Sequence, residues 1–206
     1  MKAVTNALMA RLFAALFVGL LLILASDPAG ALGETMEFTF TGNGSGTLSG
    51  ISFPTSDFVI TSFVDTANRQ RASEAWFIDH TSASVSIASL GDFSILTGTR
   101  TFVNFRSKQV GFSRAGLGGY DLYSNLNNPA FGTWDMLTPI GPFSGNMNLK
   151  QWTGYSPLID TTGGILIFNT GSCIGTFRAV PEPATLSLLA LGFGAVLMRR
   201  RKVQVK

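Results

Sequence analysis

The sequence predicts an all-β fold: a single β-sandwich domain, flanked by an N-terminal signal-peptide helix and a short C-terminal transmembrane helix. Three observations carry that reading. Apolar residues in the central part of the chain alternate with polar ones at a period of two, the spacing of a half-buried strand, and no helical stripe of useful length appears. The alternating runs are separated by Gly-, Ser- and Asn-rich clusters, as short strands joined by tight turns require. Long unbroken apolar runs occur only at the two ends. The boundaries follow: residues 1–31 a signal peptide, 32–179 the β domain, and 180–206 a C-terminal signal with a membrane helix.

Taken in order, Lys2 and Arg11 give a positive start, Leu12 to Ala25 an apolar stretch, and Ala29-Gly30-Ala31 a small-residue export cut. The mature chain then begins at Leu32. An N-terminal anchor is the competing reading, but Asp27-Pro28 breaks a helix that is already short for a span.

Met36, Phe38 and Phe40 alternate with Glu37, Thr39 and Thr41, and Gly42 to Gly46 reads as the turn into a second strand from Thr47 to Phe53. A phosphate-cradling role for Gly44, Gly46 and Gly50 lacks the Lys-Ser or Lys-Thr and the helix it needs. Phe58 to Val64 is a strand with enough apolar residues for burial on both faces, and Asn68 to Glu74 a charged loop or short helical turn. Ala83 to Leu90, Phe93 to Leu96, Thr101 to Phe105, Gln109 to Ser113 and Tyr120 to Tyr123 follow as strands. From Asn125 to Gly145 the pattern lapses around Pro129, Pro139 and Pro142, which deny ladder hydrogen bonds and predict an irregular excursion. Strands resume at Met147 to Trp152, Ile165 to Phe168 and Gly171 to Ala179.

The intact chain carries a net charge of +3, yet residues 32–180 hold eight Lys or Arg against ten Asp or Glu. The basicity therefore belongs to the ends, and the weakly acidic middle offers no electrostatic footprint for nucleic acid. Cys173 is the one cysteine, so no internal disulfide forms; it reads as a small buried apolar residue, with an intermolecular bond as the alternative.

Chemistry-bearing constellations are sparse. His80 is the sole histidine and would need a remote serine to build a nucleophilic triad; no Gly-x-Ser-x-Gly elbow is present, and a strand-end or loop histidine is the simpler reading. Asp57, Asp65, Asp79 and Asp92 are not grouped as a calcium loop would group them, and no metal or cofactor site is expected. One cluster stands out: Tyr120, Tyr123, Trp134, Trp152 and Tyr155 surround the irregular excursion. Flat amphipathic rings on loops suit sugar binding, with Trp134, Trp152 and Tyr155 as the candidate face; the alternative is that they plug the ends of the sandwich.

The C-terminal end is the most informative. Val180-Pro181-Glu182-Pro183 precedes an apolar run from Ala184 to Met198, followed by Arg199, Arg200, Arg201 and Lys202. Prolines keep the entrance extended, the run enters a bilayer, and the basic cluster stays on the cytoplasmic side. A run of fifteen residues, Gly192 and Gly194 among them, falls short of the ~20 of a comfortable span, which favours a transient stop over a permanent anchor.

This order of motif, helix and basic end resembles the PEP-CTERM sorting signal of Gram-negative bacteria. The resemblance implies processing by exosortase, a membrane-embedded cysteine transpeptidase-like enzyme, in bacteria that make exopolysaccharide and biofilm matrix. It implies an exported protein with exosortase, the secretion machinery and transiently the membrane as partners, and the sparse chemistry of the middle makes the expected function that of a non-enzymatic surface or matrix component. The alternative function is a carbohydrate-binding module that contacts polysaccharide through the aromatic loops. The phrases Phe40-Thr41-Gly42, Gly44-Ser45-Gly46-Thr47-Leu48 and Val110-Gly111-Phe112-Ser113 are similar to those of uncharacterised exported β domains that precede such tails.

Overall fold

The computed structural model describes residues 34–116, 121, 123–125, 128–150 and 158–182, with the side chains of 123–125 left aside. The expected signal peptide, the membrane helix and its basic end lie outside them. Among the described residues no helix is long and apolar enough to cross a membrane.

A long hairpin organises the domain, with β1 spanning Thr35–Leu48 and β2 Ile51–Asp65. Met36, Phe38 and Phe40 of β1 face Phe58, Ile60 and Val64 of β2 on one inward side, all essentially fully buried. Ser62 is inward too, while Val59 is exposed, so β2 is buried on one face and not on both. The turn also departs from expectation. It lies at Ser49 and Gly50, whose φ values of 53° and 81° give the left-handed pair that matches strand twist.

The glycines read as a turn are instead inside β1, which bulges between Gly44 and Gly46 and continues. Packing explains them. A Cβ on Gly42 would lie 2.8 Å from Met147 Cε, one on Gly44 would overlap Leu149, and one on Gly46 would overlap the Ile167 carbonyl. Each marks a place where another strand's atoms occupy the side-chain position, the second use of glycine in strands.

After β2 a 3-10 turn at Thr66–Asn68, capped by the Asp65 carboxylate, leads to the short edge strand β3 at Gln70–Ala72. β4 (Ala75–Asp79) falls outside the strands the pattern picks out. Then come β5 (Ser82–Ile87), β6 (Gly91–Ser94), β7 (Thr99–Asn104), β8 (Gln109–Arg114) and β9 (Tyr123–Asn125). In the expected irregular excursion, Pro129–Gly132 forms a 3-10 turn and β10 begins at Ile140, running to Leu149. Pro142 is accommodated where the register to the next strand shifts, between Ile140 and Phe143. β11 (Ile159–Thr161), β12 (Gly164–Phe168) and β13 (Gly171–Pro181) complete the fold.

The strands connect in the order β3-β4-β7-β8-β9-β10-β13-β1-β2-β5-β6, with β12 and β11 attached to the far half of β1. β8 and β1 stand four places apart, about 19 Å in a flat sheet. Yet the rings of Phe40 on β1 and Phe112 on β8 are 6.0 Å apart. The sheet therefore folds over itself into two packed layers, the sandwich the sequence predicts, with one phenylalanine-rich core between them.

The chain crosses between layers at His80-Thr81. His80 N–H donates to the Thr99 carbonyl of β7, while Thr81 donates from both its N–H and its hydroxyl to the Phe63 carbonyl of β2. One residue is tied to each layer, which fixes the crossing without a loop.

Candidate functional site

The C-terminal motif emerges directly from the sheet. β13 does not stop at Ala179; Val180 pairs with Glu37 and Pro181 with Met36, and Glu182 N–H donates to the Thr35 carbonyl at 2.9 Å. On its other flank the last partner among the described residues is Ile140, opposite Ala179, and β1 is the strand that pairs with Val180 and Pro181. The bond from Glu182 makes Thr35 and Glu182 a hydrogen-bonded pair, and alternation puts Pro181 at a non-bonded position. Its missing N–H would face away from β1, so proline costs this pairing nothing.

Side chains add a lateral tie. Arg178 reaches the Glu37 carboxylate at 3.2 Å and the Thr39 hydroxyl at 3.4 Å, and Thr39 donates to Glu37 at 2.9 Å. Of the motif residues, Val180, Pro181 and Glu182 are thus placed, and Pro181 is extended as expected. Pro183, Arg199, Arg200, Arg201 and Lys202 lie outside the described residues, as do Ala29 and Ala31 of the export cut.

Of the three candidate aromatics the described residues include Trp134 alone. Trp134 is 5% exposed, packed edge-on against Phe38 at 5.9 Å and Phe177 at 5.5 Å, and its indole N–H donates to the Thr138 carbonyl at 2.8 Å. It plugs the core and offers no ring to a sugar, which corrects its placement on a binding face. The burial has a local cause: the 3-10 turn, capped by Asn128, drives Phe131 fully inside, and Trp134 follows on the same side. Trp152 and Tyr155 fall outside the described residues, as does Tyr120.

Among the described residues a different tryptophan is partly open to solvent. Trp76 on β4 is half-buried, with the guanidinium of Arg69 4.1 Å and that of Arg71 5.0 Å from its ring centre; Arg71 also approaches Phe105 at 5.9 Å. The register Arg71 opposite Trp76 comes from the β3–β4 hairpin, which the sequence reading missed. Arg69 is anchored by Asp135 at 3.2 Å. The paired signs Arg-x-Arg and Trp, five residues on, were the available clue.

Beside this cluster is an open cleft of about 480 Å³, bordered by Asn68, Arg69, Gln70, Asp79, His80 and Thr81. His80 is its one imidazole, and both ring nitrogens are taken: Nδ1 lies 2.8 Å from the Thr99 hydroxyl and Nε2 2.9 Å from that of Thr101. The ring packs on Phe112 at 5.2 Å. Neither partner is a serine or a carboxylate; Asp79 turns to Arg100 at 3.4 Å, an ionic contact without hydrogen-bond alignment. Among the described residues no cluster of His, Cys, Asp and Glu is arranged to hold a metal. Cys173 is half-buried and is not in a disulfide.

Burial pushes the His80 imidazole down to about 3 from its usual 6.5. Above pH 6.5 it is neutral whether folded or unfolded. Between 6.5 and 3 the unfolded chain takes up a proton that the folded one refuses, so stability falls on acidification by up to ~1.4 kcal/mol per pH unit and levels off below. Unfolding free energies from urea titrations at pH 7 and pH 5 should differ by about 2 kcal/mol in the wild type, and His80→Gln should remove most of that difference. An unchanged pH dependence in the variant would mean that other groups carry it.

Comparison with curated proteins and with solved structures finds no match. Residues 179–202, which begin inside β13, match the family described as the PEP-CTERM protein-sorting motif, so the chain carries at this end the signal by which exosortase recognises an exported protein.

Proposed function

We propose that this protein is a structural or interaction component of the cell surface or extracellular matrix of a Gram-negative bacterium, associated with exopolysaccharide and biofilm and without catalysis of its own. The sorting match running out of the last strand is the observation that carries the reading. The inner membrane holds the tail in transit, exosortase processes it, and the β domain is what is delivered. Support for a non-enzymatic domain comes from its one histidine, whose ring nitrogens are both committed to threonines. The sandwich itself is a common architecture that hosts many functions and assigns none.

The test is made in cells that possess exosortase. Replacing Arg199, Arg200, Arg201 and Lys202 with Ser removes the charge that keeps the short helix from slipping across the bilayer. Uncut protein should accumulate severalfold over wild type, while protease resistance of the β domain stays unchanged. Normal processing of the four-serine variant would show that the basic end is not part of the signal.

A further inference from the structure

We propose that the outer face of β3, β4 and β7, together with the cleft at its end, is a binding site for a neutral polysaccharide chain. The proposal rests on the reading of a component associated with exopolysaccharide, and it adds the surface that makes the contact and the charge class of the sugar.

Register assembles the face. Gln70 of β3 stands opposite Phe77 of β4, and Phe77 opposite Phe102 of β7; two residues along, Asp79 stands opposite Arg100. Residues directly opposite one another, and residues two apart on one strand, share a side of the sheet. Ile78, Thr101 and Val103, their neighbours in sequence, are fully buried, so this set faces outward. Phe102 does not stand off the sheet. A Cβ on Gly111 of β8 would lie 2.4 Å from the tip of its ring, so the ring lies across the neighbouring strand. Phe77 carries the Arg100 guanidinium 4.6 Å from its ring centre. Both phenylalanines are half-buried, and they form a low apolar floor on a face that a sandwich ordinarily gives to polar residues.

The cleft continues this floor with hydrogen-bonding groups. Gln70 and Asp79 belong to both, and Asn68 and Thr81 border the cleft further on. The side-chain amides of Asn68 and Gln70 are exposed and bonded to no other described residue, so each keeps its donors and its acceptor. The Asp79 side chain is 47% exposed and, ionised, only accepts. A pyranose ring answers this pattern, with an apolar C–H face to lie on aromatic carbon and a rim of hydroxyls that each donate and accept. At about 480 Å³ the cleft is in the size range of small-ligand sites.

Charge selects among sugars. The ionic groups of the cleft are answered in place, Arg69 by Asp135 at 3.2 Å and Asp79 by Arg100 at 3.4 Å. A uronate or sulfated chain would bring its negative charge beside the Asp79 carboxylate, to described lining residues that hold no uncompensated cation. A neutral chain meets no such repulsion.

The test is affinity electrophoresis of the full chain, in a detergent without a sugar head group, through gels containing dextran, galactomannan or alginate. A neutral polymer should retard the wild type. The double variant Asn68→Ala, Gln70→Ala should bind about tenfold more weakly with an unchanged thermal melt, since it loses only exposed, unbonded amides. Phe77→Leu, which keeps apolar volume but removes the flat ring, should also bind more weakly. Equal retardation of the wild type and both variants overturns the site while leaving the association with polysaccharide intact. Retardation by alginate alone overturns the neutral assignment. Free migration in every gel overturns the site as well, and co-sedimentation of the protein with polysaccharide from cell-surface extracts reports separately on the wider reading.

Discussion

Replacing Asp121 with alanine should lower the stability of the β domain by about 3 to 5 kcal/mol, the cost of removing one partner from a buried ion pair. Arg114 is 1% and Asp121 2% exposed. The guanidinium meets the carboxylate as a fork, Nε to Oδ2 at 2.8 Å and Nη2 to Oδ1 at 3.0 Å. The Arg114 backbone N–H also donates to Oδ2 at 2.7 Å, and Asp121 N–H donates to the Phe112 carbonyl at 3.0 Å. Arg114 stands opposite Thr99 on the inward face of β8, the side of Phe112, where water cannot replace the lost oxygen atoms. Set against a total of roughly 5 to 15 kcal/mol for a domain, the change approaches unfolding. Urea denaturation of the exported protein reads it directly. A double change to Arg114→Met and Asp121→Leu should recover much of the loss, because a paired apolar replacement leaves no orphan charge. A loss under about 1 kcal/mol in the single variant would show that the pair is hydrated in solution.

Trp134→Ala should cost a similar ~3 to 5 kcal/mol, since it removes a large buried ring and leaves a cavity against Phe38, Phe131 and Phe177. The indole contributes in two ways that a second variant separates. Trp134→Phe keeps an aromatic in the space but deprives the Thr138 carbonyl of its donor, for which about 1 to 2 kcal/mol is expected. Thermal melts of the two variants should therefore rank alanine well below phenylalanine and phenylalanine below wild type. Were the alanine variant to melt like wild type and lose polysaccharide retention, the ring would be acting at a surface.

The period-two pattern made most strands readable, because the core takes its residues from single faces: Met36, Phe38 and Phe40, or Val85 and Ile87, are inward as their spacing requires. What stayed hidden depends on partners distant in sequence. Gly42, Gly44 and Gly46 look like a turn because turns and close strand contacts both call for a missing side chain, and only Met147, Leu149 and Ile167 tell them apart. β4 is five residues long and sits beside a charged loop, too short for its alternation to stand out. Trp134 sits in a proline-rich stretch that denies regular strands, and a lone ring there gives no sign of which way it points. Nothing in the sequence around Arg114 and Asp121 marks either charge as buried; the inward direction of Arg114 follows from the register of β8 on β7. The sorting motif was legible as a motif, while its anchorage was not, since nothing in Val180-Pro181 announces Glu37 and Met36 as partners.

The pairing of β1's first residues with β13's last has a mechanical consequence. Thr35 and Glu182 are opposite each other, so the two ends of the domain leave from one pole, while the Ser49–Gly50 turn caps the far end of the β1–β2 hairpin. Force applied between the two termini would pull neighbouring strand ends apart sideways and break their bonds one pair at a time, as a zipper opens. Force applied between Glu182 and the far pole would instead run along β13, loading its pairs with β1 and β10 together in shear. A protein fixed at its carboxyl end and pulled at the opposite pole is therefore loaded in its strong direction.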